Sequence, residues 1–114
     1  MSIEITARHM NISSTIQEYA KTKAEQMVAD FPRVEHLHVI LDHQKHLFVA
    51  EIVVQGRNHI RLEAEHSSDD MRASLDHAFD RAERQLRRER DKILDHHRRD
   101  KQGVGEDNGF IAED

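Results

Sequence analysis

The apolar residues of this 114-residue chain change their spacing three times, and each spacing dictates a different local backbone. From Ser2 to Arg8 they alternate, with Ile3, Ile5 and Ala7 on one side and Glu4, Thr6 and Arg8 on the other. A period of two belongs to a strand with one buried face. The period then lengthens to three or four through Ile12, Ile16, Ala20, Ala24, Met27 and Phe31, which is the stripe of an amphipathic helix. Ser13 or Ser14 can cap its free N–H groups, Ser14-Thr15-Ile16-Gln17 fits a capping box, and Pro32 stops it. Alternation returns in three runs built on Leu37-Val39-Leu41, Ala50-Ile52-Val54 and Ile60-Leu62-Ala64. The breaks between them, His43-Gln44-Lys45-His46 and Gln55-Gly56-Arg57-Asn58, are hairpin-sized, so these runs read as an antiparallel meander. The helical period then resumes in Met71, Leu75, Ala78, Phe79, Ala82, Leu86 and Ile93. Ser67 or Ser68 can cap this second helix, and Asp69 and Asp70 suit the positive end of its dipole. Past Arg87 the stripe thins at Arg90 and His97, so the helix end is expected to project or fray, and Gly103 and Gly105 close it.

Strand, helix, three strands, helix predicts a two-layer α+β domain, β-α-β-β-β-α. The first two strands, if neighbours, must be parallel with a right-handed crossover. Both helices then cover one face of a four-stranded sheet. Residues 1–101 form the expected domain, and residues 102–114 an acidic tail expected to be flexible. The length suits one domain. Hydrophobic residues make 37% and charged residues 34%; this is polar, but periodic apolar positions argue against wholesale disorder. No cysteine is present, which removes disulfides, thiolate metal sites and a cysteine nucleophile, and fits the cytosol, the expected location. No apolar run is long enough to span a membrane, and the N-terminal residues lack a secretory pattern.

The net charge of -5 hides an asymmetry. Residues 1–70 carry 7 bases and 11 acids, residues 71–101 carry 10 bases and 7 acids, and residues 102–114 carry 4 acids and no base. The basic segment coincides with the second helix. Arg81, Arg84, Arg88 and Arg99 fall opposite its apolar stripe, with Arg87 and Arg98 nearby. A solvated helix face balanced by Asp80, Glu83, Asp91 and Asp95 has the same pattern. Arginine dominates, however, with seven of the nine bases from 81 to 101, and its fork matches phosphate oxygens in a way lysine does not.

Ten histidines invite a metal reading. His36 and His38 share a strand face and His43 and His46 flank one turn, yet no HExxH occurs, so no metal site or cofactor is expected. There is no GxSxG, no phosphate-cradling glycine loop and no carboxylate pair set among apolar residues, so no catalysis and no small-molecule substrate are expected.

Asp70-Met71 opening a helix that runs Arg81-Ala82-Glu83-Arg84-Gln85-Leu86 resembles the bacterial ribosome hibernation family. That family comprises the hibernation-promoting factors and the ribosome-associated inhibitor, also described as sigma-54 modulation proteins. Ile5-Thr6, Met10-Asn11-Ile12 and Phe48-Val49-Ala50 add to the resemblance, which spans residues 1–101. Asp107-Asn108-Gly109-Phe110-Ile111 and the following acids resemble the tail of the inhibitor branch. The resemblance implies a β-α-β-β-β-α fold similar to the double-stranded-RNA-binding architecture with an added strand. It implies a cytoplasmic translation inhibitor that occupies the mRNA and tRNA path of the small ribosomal subunit under stress or in stationary phase. Arg81, Arg84 and Arg88 match the family's second-helix bases and Lys23 a first-helix base. Gln26 and Ala29 replace first-helix lysines of the inhibitor branch, where Lys21 can compensate, and Arg72 replaces a tyrosine. The RNA-binding set expected from the resemblance and the arginine pattern is Lys21, Lys23, Arg81, Arg84, Arg87 and Arg88. The chain ends before the position of the long members' dimerisation domain, and a monomer is expected. Two other classes fit the residues: an RNA-binding module outside the ribosome, and a protein-interaction domain acting on transcription through His36, His38, Val49 and Val53.

Overall fold

A computed structural model describes residues 2–102, and side-chain surroundings for residues 2–92. The elements are β1 (Ser2–Arg8), α1 (Ser14–Asp30), β2 (Val34–Gln44), β3 (Leu47–Gly56), β4 (Arg61–Ser68) and α2 (Met71–Gln102). The strands lie in chain order, β1-β2-β3-β4. β1 runs parallel to β2, and the other neighbours are antiparallel. A parallel pair needs a crossover, and α1 supplies it. The result is the two-layer α+β domain that the periods predict.

Register aligns the apolar positions into continuous rows. Ile5, Val39, Ile52 and Ala64 pair across all four strands, and Leu37, Val54 and Leu62 form the row beside them. These rows face Ala20, Ala24, Met27 and Val28 of α1 and Leu75, Ala78, Phe79, Ala82 and Leu86 of α2, all buried. Small residues sit where a helix comes closest to the sheet: Ala20, Ala24, Ala78 and Ala82 are all fully enclosed.

The element ends differ in detail from the sequence reading. Ser13, not Ser14, caps α1: its Oγ accepts the Ile16 N–H at 3.2 Å and its carbonyl the Gln17 N–H. The third helical position is then Ile16, which has no side-chain acceptor to return, so the capping box does not form. α1 ends at Asp30, before Pro32 as the sequence predicts, with the Phe31 N–H still bonded to Met27. β2 and β3 pair as far as Gln44 and Leu47, leaving a two-residue turn in which Lys45 takes a φ of 59°. At the other hairpin Gly56 lies against the α1–β2 connection, and a Cβ there would meet the Arg33 carbonyl oxygen at 2.3 Å.

The cap of α2 is Asp70, because Ser67 and Ser68 belong to β4. Asp70 Oδ2 accepts the Ala73 N–H at 3.3 Å and its carbonyl accepts the Ser74 N–H at 3.0 Å. Ser68 Oγ accepts the Asp70 N–H and lies 2.7 Å from the buried Ser74 hydroxyl, which donates to the Phe48 carbonyl. This polar chain fastens the start of α2 to the sheet. Leu86 is the last buried residue among those described, and α2 continues for sixteen residues beyond it to Gln102. The side chain of Ile93 and the acidic tail, with Phe110 and Ile111, lie outside the described residues.

Candidate nucleic-acid interface

α2 turns about 100° per residue, so its exposed bases divide into flanks. Arg81 and Arg88 are seven residues apart and share the flank toward β4. Arg84 points away from the sheet between them and Arg87, which leans toward α1. All four are exposed.

Their surroundings differ more than their spacing suggests. Arg81 donates to the Glu65 carbonyl at 2.8 Å and Gln85 to the Glu63 carbonyl at 3.3 Å. β4 is an edge strand, and these two side chains cap carbonyls that no fifth strand satisfies. Arg84 pairs with Asp80 at 2.6 Å, and Arg87 pairs with Glu83, both one helical turn back. Such exposed pairs contribute only about 0.3–0.5 kcal/mol and yield readily to another anion. Among the described residues Arg88 has no carboxylate partner.

The bases of α1 lie apart from these arginines. Lys23 Nζ lies 3.4 Å from Asp76 of α2 and 5.7 Å from the Tyr19 ring centroid. The Tyr19 hydroxyl donates to the same Asp76 carboxylate, and the Arg72 guanidinium stacks 4.2 Å over the Tyr19 ring. This cluster stitches the two helices together. The crevice between them is lined by Asp30, Asp76, Asp80 and Glu83 beside Lys23, so acids outnumber bases there. Lys21 lies two residues from Lys23, about 160° away around α1. Lys23 faces α2, so Lys21 occupies the opposite flank, and the structure does not bring it to the arginine surface. Arg81, Arg84 and Arg88 come together, Arg87 adjoins them, and Lys23 reaches α2 only through Asp76.

Two bases escaped the sequence reading. Arg61 of β4 and Lys92 of α2 line one groove with Arg88. Lys92 follows Arg88 by four residues, and that spacing could have revealed it. Arg61 is a single base on an alternating strand, and only the placement of β4 beside α2 gives it meaning.

The sheet face away from the helices is acidic. Glu4, Glu51, Glu63 and Glu65 lie on it, and Glu51 stands directly opposite Glu65. Val49 and Val53 are half-buried there. His36 Nδ1 lies 2.7 Å from Ser2 Oγ and His38 Nε2 2.8 Å from Thr6 Oγ1, so both histidines lace β1 to β2. Among the described residues no group of three or more His, Asp or Glu is placed to hold a metal ion. No helix among them is long and apolar enough to cross a membrane.

Comparison with known proteins places this two-layer α+β domain in a family. Residues 3–94 match the family model described as sigma 54 modulation protein / S30EA ribosomal protein, and the chain belongs to that family. The ribosome hibernation promoting factor of Salmonella typhimurium is 30% identical over 98 residues, covering 84% of this chain and all of the relative. Its Escherichia coli K12 counterpart is 28% identical over the same length. Among solved structures, a ribosomal subunit interface protein from Coxiella burnetii superposes with a TM-score of 0.73 at 22% identity, covering 79% of this chain and 98% of that one, a likeness of fold. The N-terminal domain of Thermus thermophilus Protein Y gives 0.63 at 28% identity, covering 77% and 98%.

Proposed function

We propose that this chain is a hibernation factor that binds the small ribosomal subunit through the arginine surface of α2 and silences translation by occupying the mRNA and tRNA path. The observation that carries the reading is the convergence of Arg81, Arg84 and Arg88 on one exposed surface, in a chain whose relatives bear the name of ribosome hibernation promoting factor. Guanidinium groups displace counterions from ribosomal RNA phosphates, and the ion pairs of Arg84 and Arg87 exchange their carboxylates for phosphate. No bond is made or broken. The protein acts as a cytoplasmic monomer without a cofactor, and the folded body is the inhibitor.

The test is charge reversal. The double variant Arg84→Glu/Arg88→Glu is expected to lose co-sedimentation with ribosomes at physiological salt while keeping the wild-type melting curve, because both side chains are exposed. Wild-type binding should weaken steeply with salt, by about 0.7–0.9 of a log unit per log unit for each phosphate neutralised. Unchanged co-sedimentation of the double variant overturns the reading. Binding to free RNA but not to ribosomes favours an RNA-binding role elsewhere.

A further inference from the structure

The groove between the outer edge of β4 and the C-terminal half of α2 has a volume of about 510 Å³ and is lined by Arg61, Leu62, Glu63, Gln85, Arg88, Glu89 and Lys92. We propose that it is a second RNA contact, in which Arg61, Arg88 and Lys92 grip the phosphate backbone beside the strand edge. This rests on the ribosome-binding reading and extends it from the helix to the sheet.

Three observations carry it. First, the helical wall consists of residues 85, 88, 89 and 92, one face of α2. Those seven steps span about 10 Å, the length of a short stretch of backbone rather than of a single ion. Second, the groove is lined by bases from two elements, Arg61 of β4 and Arg88 and Lys92 of α2. Arg61 lies on Glu63 at 2.8 Å and Lys92 on Glu89 at 3.8 Å, while Arg88 has no carboxylate partner among the described residues. These pairs are exposed, so a phosphate with its higher charge density can displace the carboxylates. Third, Arg88 belongs both to this groove and to the surface formed with Arg81 and Arg84. A strand of RNA crossing α2 at Arg84 therefore runs on into the groove without leaving the protein. Gln85 closes one end by bonding the Glu63 carbonyl. Two of the three bases are arginines, whose forks match phosphate in two directions. A backbone contact of this kind adds affinity without reading sequence.

The test uses the full chain and purified small ribosomal subunits, with dissociation constants measured over a range of potassium chloride. Arg61→Ala and Lys92→Ala are each expected to weaken binding by about tenfold and to reduce the log–log salt slope by about one. Arg61→Lys should recover most of the slope and less of the affinity. Arg57→Ala serves as the charge control, since Arg57 pairs with Glu35 at the β3–β4 turn and does not line the groove. It should leave the slope at its wild-type value. Melting curves of all variants are expected to match, because the three arginine and lysine side chains are exposed. If Arg61→Ala and Lys92→Ala bind as the wild type while Arg84→Glu/Arg88→Glu does not bind, the groove proposal falls and the hibernation reading stands. If Arg57→Ala weakens binding as much as Arg61→Ala, overall charge explains the effect and the groove proposal falls as well. If polyglutamate is held by the groove and the ribosome affinities of the two groove variants are unchanged, the partner is an acidic protein and not RNA. Failure of the wild type to bind subunits removes both readings together.

Discussion

Asp42 is a carboxylate buried on the side of the sheet that carries no helix. Such a group is tolerated only with donors around it. It has three: the His9 ring at 2.9 Å, the His43 N–H at 2.8 Å and the Gln44 side-chain amide at 2.9 Å. His9 itself takes a φ of 58°, a left-handed conformation that non-glycine residues seldom adopt, and its bond to Asp42 holds it there. The His9 ring is the main cause that keeps the Asp42 carboxyl below its ordinary pKa; burial opposes it, and the Gln44 and His43 donors add to the lowering. A depressed carboxylate stabilises the fold fully above its unfolded value of about 4 and loses that contribution as pH falls through the folded value. Asp42→Asn should therefore flatten the acid side of a plot of denaturation midpoint against pH. Equal acid losses in wild type and variant would show that Asp42 is not the group responsible. The sequence placed Asp42 on the polar side of its strand, correctly, but alternation reports side and not depth. Nor does it report the partners, His9 and Gln44, that bond this carboxylate.

At the scale of elements, period was a good guide to the elements and to most of their ends, but not to the cap of α2. Both helices and all four strands stand where the spacing of apolar residues puts them, because each stripe has only one sheet face to cover. The cap of α2 was misread for a physical reason. Ser67, Ser68, Asp69 and Asp70 can all cap a helix, and sequence cannot choose among them. Pairing chooses: Val49 takes Ser67 and Phe48 takes Ser68 into the ladder, which leaves the cap to Asp70. Asp70→Ala is expected to cost about 1 kcal/mol and lower the melting temperature by roughly 4–8 °C. Ser67→Ala, on the exposed side of β4, should melt within about 2 °C of the wild type. Comparable losses at both positions would return the cap to the strand end. Arg81 shows the converse limit. Helical phase put it on the exposed side, correctly, yet gave no sign that its guanidinium closes the edge of β4.

Over the whole molecule, charge is sorted by face: the sheet surface is acidic and the outer side of α2 is basic. Summed over residues 1–101 these nearly cancel, and residues 102–114 supply most of the net -5, which is why net charge alone says little about RNA. The fold was legible because strand order follows chain order. The groove was not, because Arg61 and Arg88 come to line it together only through the packing of α2 along β4. Strand pairing has one exception to its locality, and it concerns time. β2, β3 and β4 each pair with a sequence neighbour, but Ser2 pairs with His36, 34 residues later, and only after α1 has crossed over. Closing that loop is the slow entropic step. β1 is also held on one side only, at the sheet edge. Its amides should exchange with solvent ahead of those in β3, and equal protection of both strands would contradict this. A nascent chain therefore makes β1 well before it can use it, so that the β1 residues wait, unpaired, until the strand they need has been synthesised.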